Sequence, residues 1–169
     1  MTRPSVLPVD VQEASPRPDE NCSAATPDAA NLCPASQTIG SKVDLVTVKA
    51  LVNGDALRRL DGKTYRFCPA PGCDVVYFDT AANSIFRKKD LTVRIGQKET
   101  QDPITVCYCF DFTVADLRRD MTVGGKTEIP AIIAAEIKAG HCACEVKNPQ
   151  GSCCLGNVTA AVRSLSRKN

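Results

Sequence analysis

The ten cysteines of this 169-residue chain are not spread along it. The densest groups are "CYC" at 107–109 and "CACEVKNPQGSCC" at 142–154, the second wrapped around an Asn-Pro-x-Gly turn. The opening stretch, "MTRPSVLPVDVQEASPRPDE", lacks an apolar run of signal-peptide length. No later stretch nears the roughly 20 residues of a membrane-spanning helix. A cytoplasmic protein with no membrane partner is expected. In a reducing compartment, grouped thiols serve metal binding or redox chemistry rather than a disulfide framework.

Charge adds little. Lys plus Arg number 21 against 19 acidic residues, which gives no reason to expect nucleic acid or an anionic surface as partner. The run "RKK" at 87–89 reads as a solvated strand end, not a phosphate-tracking stripe.

Three regions are predicted. Residues 1–32 are rich in Pro, Ala, Ser and Asp, without apolar period, and are expected to form a disordered tail that carries Cys22. Residues 33–100 read as a small antiparallel β unit. In it, "KVDLVTVKALV" (42–52) alternates like a strand, "GDALRRL" (54–60) makes a short helix, and "TYRF" (64–67) and "VVYF" (75–78) make two more strands. "IFRKKDLTVRI" (85–95) adds one or two further strands. Residues 101–169 read as helical. Thr113 with Asp116 starts one helix, a second runs from near Pro130 to Gly140 with Ile132, Ile133 and Ile137 on one side, and a third spans about 155–165. The fold class expected is α+β.

Four thiolates at close quarters are what a two-iron cluster needs, two for each iron. Cys107 and Cys109 form a C-x-C that suits one iron, and the other would draw on Cys142, Cys144, Cys153 and Cys154. A zinc site on the same thiols is the plainer reading. Helices starting after Cys109 and after Cys154 would aim positive dipole ends at an anionic cluster, with Lys138, Lys147 and Arg118 as screening charges. His141, just after a helix end, reads as solvated, and Tyr108 as packed outward over a helix.

Cys68 and Cys73 close the Pro/Gly turn "CPAPGC" between two strands, like one knuckle of a zinc ribbon. A structural zinc usually takes two such pairs.

Taken together, "VCYCF", some 34 helical residues, "C-x3-NPxGxCC" and a closing helix resemble the bacterioferritin-associated-ferredoxin-like (BFD-like) [2Fe–2S] domain, in the variant carried by the N-terminal region of CopZ-type copper chaperones. "RFCPAPGCDVVYF", "RKKDL" and "VTVKALV" extend the resemblance over roughly 33–165. It implies a zinc-ribbon-like β unit followed by a three-helix BFD-like domain. The cluster ligands it implies are Cys107, Cys109, Cys144 and Cys154. The wider BFD-like pattern ends in C-x2-C, whereas nine residues separate Cys144 from Cys154 here, so Cys153 is the rival for the fourth position. Cys142 is then surplus, a small thiol beside the cluster. For zinc, the family's other pair is a C-P-x-C that reads "CPAS" in this chain, giving Cys33 and Ser36. Zinc is expected on Cys33, Cys68 and Cys73. The fourth position is open between Cys22, a water or other group, and loss of the site.

The function so implied is metal homeostasis: an iron–sulfur and zinc protein that passes single electrons, supports reduction of Cu(II) to Cu(I), and meets a copper chaperone or a copper-transporting ATPase. Its electron donor and acceptor are unknown. The family's copper-carrying domain, with an M-x-C-x-x-C loop, has no counterpart before the chain ends in "SLSRKN", so copper delivery by this chain alone is not expected. The alternative is a non-redox iron–sulfur or zinc sensor or binding protein. Enzyme activity is not expected, beyond that of an accessory electron carrier or metal reductase. No C-x-x-C redox pair is present, and nothing places His141 as base to a catalytic thiol.

Overall fold

The computed structural model describes residues 29–81 and 83–167, so Cys22 and most of the expected tail lie outside the described residues. Residues 29–40 are structured and belong to the β unit. A 3-10 turn at Ala29–Asn31 leads into a Leu32–Ile39 bridge, and Cys33 between them is fully buried.

The β unit is a four-stranded antiparallel sheet in the order β1 (Ser41–Val43), β2 (Tyr65–Phe67), β3 (Val75–Asp79), β4 (Ile85–Arg87). Every residue of β3 is buried, which explains its unbroken "VVYFD": a strand covered on both faces has no polar side to alternate with. Aromatic pairs fasten its neighbours, Phe67 edge-on to Tyr77 at 6.3 Å and Tyr65 tilted on Phe86 at 5.7 Å.

Two strand expectations are corrected. The chain leaves the sheet at Val43, and Leu45–Leu51 forms helix α1, followed by α2 (Gly54–Leu57). Val43, Leu45 and Thr47 mimic a period of two, but the buried Val48, Leu51 and Val52 recur at helical spacing, and packing decides for the helix. Likewise only Ile85–Arg87 of the stretch 85–95 is strand. Asp90 accepts from the Arg87 N–H at 2.8 Å and turns the chain into 3-10 helices at Lys88–Asp90 and Gly96–Lys98.

The second region is not purely helical, because its first thiols sit on a hairpin, β5 (Thr105–Cys107) with β6 (Phe112–Thr113). Asp111 turns the connecting loop with φ 55°, a conformation that its short polar side chain tolerates. Then follow α3 (Val114–Gly124), α4 (Ile129–Lys138), the single turn α5 (Cys144–Lys147) and α6 (Leu155–Ser166). α3 begins at the expected Thr113–Asp116 capping box and runs one turn beyond Met121. On α4 the inward residues are Ile129, Ile133 and Ile137, whereas Ile132 is exposed. They pack with Leu117, Val106 and Val158 around Cys107, Cys144 and Cys154. Among the described residues no helix is long and apolar enough to cross a membrane.

The segment 145–151 forms one junction between the two regions. Buried Tyr77 donates its hydroxyl to the Pro149 carbonyl at 2.8 Å, and Thr47 of α1 donates to the Glu145 carbonyl at 2.6 Å. Gly151 has φ 64° and lies where an added Cβ would come within 2.8 Å of the Thr47 hydroxyl, so two constraints demand glycine. Tyr77→Phe should leave the Pro149 carbonyl unpaired and cost about 1–3 kcal/mol, measurable as a lower urea midpoint with an unchanged slope.

Candidate metal centres

The nine cysteines among the described residues are unbridged, and eight of them collect into two groups. The first group sits at one end of the sheet. Cys33 comes from the loop before β1, Cys68 follows β2, and Cys73 closes the turn into β3. All three are buried, with their sulfurs within 4.8 Å of one another and Cys33 to Cys73 at 3.8 Å. The Cys33 loop is shaped by its own backbone. The Cys33 N–H donates to Thr38, the Gln37 N–H donates to Cys33, both at 2.9 Å, and Gln37 takes φ 57°.

That loop carries Ser36 to the place expected of a fourth thiol. Its Oγ lies 3.3 Å from the Cys68 sulfur. Burial pushes the Cys33 thiol up, but the Ser36 hydroxyl, the Ser36 and Ala35 N–H groups and the Cys68 thiol outweigh it and hold Cys33 at about 7. Burial leads the upward shift of Cys73, against a Val75 N–H that favours its thiolate. A divalent ion would stabilise thiolates in such a buried trio.

Lys98, beside this group, is not among the residues that sequence reasoning singled out. Only 3% exposed, it donates from Nζ to the Ala70 carbonyl at 2.8 Å, inside the Cys68–Cys73 turn, and lies 5.7 Å over the Phe67 ring. Nothing in "GQKET" distinguishes it from a solvated lysine.

The second group lies in the apolar core of the helical region. Cys107 ends β5, Cys109 rides in the hairpin loop, Cys144 opens α5, and Cys154 precedes α6. The first C-x-C finds sulfur neighbours on other segments. Cys109 faces Cys144 at 3.5 Å, while Cys154 donates its S–H to Cys107. That bond chiefly sets Cys107 at about 6 against burial, helped by the Phe110 and Cys109 N–H groups. The same bond is the first cause of the upward shift of Cys154, and burial is the first cause for Cys144 and Cys109.

Cys142 joins this group. It is half-buried and donates to the Cys144 sulfur at 3.3 Å, so Cys109, Cys142 and Cys144 also lie within 4.8 Å of one another. Cys153 is exposed, and His141 is paired with Glu136 at 2.7 Å on the surface.

α3 starts only after β6, and the Asp116 carboxylate caps its first turn. Two surrounding expectations are corrected. Arg118 is engaged with Asp102 at 3.2 Å. Tyr108 does not pack outward over a helix: its hydroxyl donates to the Arg94 carbonyl at 3.1 Å and accepts the Gly96 N–H at 2.8 Å, reaching the β unit.

With this geometry in place, known proteins place the chain. The zinc-binding-domain family of CopZ matches residues 30–92, the segment that carries Cys33, Cys68 and Cys73. The crystal structure of the Archaeoglobus fulgidus CopZ N-terminal domain superposes with a TM-score of 0.65 at 34% identity, covering 76% of this chain and 95% of that one. The chain belongs to the CopZ-type zinc-binding-domain family. The copper chaperone CopZ of A. fulgidus is 37% identical over 122 residues, 72% of this chain and 57% of the relative. The chain thus spans little more than half the length of that CopZ.

The donor set fits the zinc that defines the CopZ-type domain. Three buried sulfurs converge from two loops, and a fourth group, Ser36, stands beside them. Lys98→Met should free the Ala70 carbonyl and loosen the turn that spaces Cys68 from Cys73. Zinc affinity is expected to fall about tenfold, read by competition with a chromogenic chelator.

Proposed function

We propose that this chain handles metals in copper homeostasis, holding zinc in its β unit (residues 33–100) and a [2Fe–2S] cluster in its helical region (residues 101–169), read as a BFD-like domain of three longer helices, α3, α4 and α6, with the single turn α5 before the last. The cluster ligands are Cys107, Cys109, Cys144 and Cys154. The observation that carries this reading is the gathering of those four cysteines in one apolar core, with the Cys109 and Cys144 sulfurs 3.5 Å apart. Four thiols match the demand of two irons, each completed by two cysteines.

When bound, such a cluster supplies one-electron chemistry, which would serve reduction of Cu(II) to the Cu(I) that soft thiolates select. The chain's own residues prepare for it. The Cys154 S–H and the N–H groups of Phe110 and Cys109 hold Cys107 toward the thiolate that a metal requires. The Ala143 N–H points at the Cys109 sulfur at 3.4 Å, a bond of the kind that tunes a sulfur ligand. Ile129, Ile133, Leu117 and Val158 keep water from the buried sulfurs. The natural partners are an electron donor, and a copper chaperone or copper-transporting ATPase as receiver of the reduced metal. The protein works in the cytoplasm as an electron carrier rather than an enzyme.

One observation favours a second reading, a non-redox sensor or binding protein with a mononuclear ion on Cys109, Cys142 and Cys144.

Anaerobically purified protein should contain about two irons and two sulfides per chain and about one zinc. Its visible absorption should bleach and return on reduction and reoxidation. Cys107→Ala and Cys109→Ala should abolish that absorption, while Cys142→Ala keeps it. Metal lost in Cys142→Ala but kept in Cys107→Ala would decide for the mononuclear ion.

A further inference from the structure

We propose that Ser36 leaves the three-thiolate centre of the β unit open at its fourth position, and that a small exogenous thiol occupies that position from the cleft beside it. This rests on reading Cys33, Cys68 and Cys73 as metal ligands.

A closed structural zinc has four protein ligands, whereas an open site keeps one position for an exchangeable group. Here three sulfurs converge, and the group nearest the remaining direction is a serine hydroxyl, 3.3 Å from the Cys68 sulfur. An alcohol keeps its proton at neutral pH, so Ser36 offers a neutral oxygen where thiolate donors are anionic. It is also already engaged: its oxygen accepts from the Thr38 N–H at 3.4 Å. Ser36 therefore orients a neighbouring sulfur more readily than it competes for the metal.

The surroundings decide that the position is reachable. An open cleft of about 440 Å³ is bounded by Ala35, Ser36, Thr38, Ala70, Gly72 and Cys73. Both edges of the metal set, Ser36 and Cys73, face it. Gly72 has no atom within 4 Å of where a Cβ would stand, so that wall is bare backbone. The one charged residue at its margin, Asp74, is paired with Arg87 at 3.2 Å. A small, uncharged thiol thus meets no repulsive charge and no bulky side chain. On binding, its sulfur bonds the metal as thiolate, its proton passes to bulk water, and the solvent molecule that fills the open position is released from the metal. No electron is exchanged.

The test uses the full chain with Co(II) in place of zinc, followed by absorption during titration with 2-mercaptoethanol. A Cys68→Ala reference cancels the contribution of the other sulfur group. Wild type, Ser36→Ala and Cys22→Ala should each begin with a three-thiolate spectrum and move toward a four-thiolate one as thiol is added. Ser36→Cys should show four thiolates from the start, ignore the added thiol, and release zinc to a chelator about tenfold more slowly. A wild-type spectrum that is already four-thiolate and reverts in Cys22→Ala would overturn the proposal, because Cys22 would then close the shell. An unchanged thiol response in Ser36→Cys would overturn it too. A Cys68→Ala spectrum identical to wild type would instead remove the metal-site reading itself.

Discussion

A thiolate is costly to bury, and this chain buries sulfur at two places where it must be ready to lose its proton. In each group one cysteine is singled out for the charge. Cys107 receives an S–H bond from Cys154 and two backbone N–H groups, and Cys33 receives a hydroxyl and two backbone N–H groups. Burial leads the upward shifts of Cys73, Cys109 and Cys144, and the Cys107 thiol leads that of Cys154. A cation taking the protons' place would satisfy both groups, since metal binding releases the protons of its thiol ligands. With nine unbridged cysteines among the described residues, no cross-link shares that task.

Positioning of the sulfurs depends on short loops that would wander without support. The 148–154 loop is held by its own turn and by the sheet: Asn148, 1% exposed, donates to the Ser152 carbonyl and accepts the Gln150 N–H, while Tyr77 grips Pro149 from the central strand. Cys144 and Cys154, on either side of this loop, are thereby fixed to an element that contributes no ligand to them. The CopZ-type β unit is a platform for the second sulfur group as well as a metal site of its own.

Much of this organisation is legible in the amino-acid sequence. The Thr113–Asp116 capping box, the C-terminal helix and the "VVYF" strand each combine a local signal with a consistent apolar pattern, and the spacing of the cysteines points to both sulfur groups. What is not legible depends on long-range packing. The stretch 42–52 offers both a two-residue and a 3.6-residue period, and only contact with the sheet selects α1. The burial of Lys98 and the junction role of Thr47 and Gly151 arise from partners many residues away, for which a single sequence carries no mark. Cys142 is a milder case: its spacing from Cys144 is visible, but not that the chain folds its sulfur to within 3.3 Å.

The 3-10 turn at Gly96–Lys98 touches both sulfur groups. At one end the Gly96 N–H holds the hydroxyl of Tyr108, the residue between Cys107 and Cys109; at the other, Lys98 reaches into the turn between Cys68 and Cys73. An added Cβ on Gly96 would sit 1.9 Å from the Thr105 carbonyl oxygen, so this segment lies hard against β5 with no slack. Three residues thus form a strut between the two centres. A displacement of this strut would therefore reach, at once, the backbone that frames each sulfur nest.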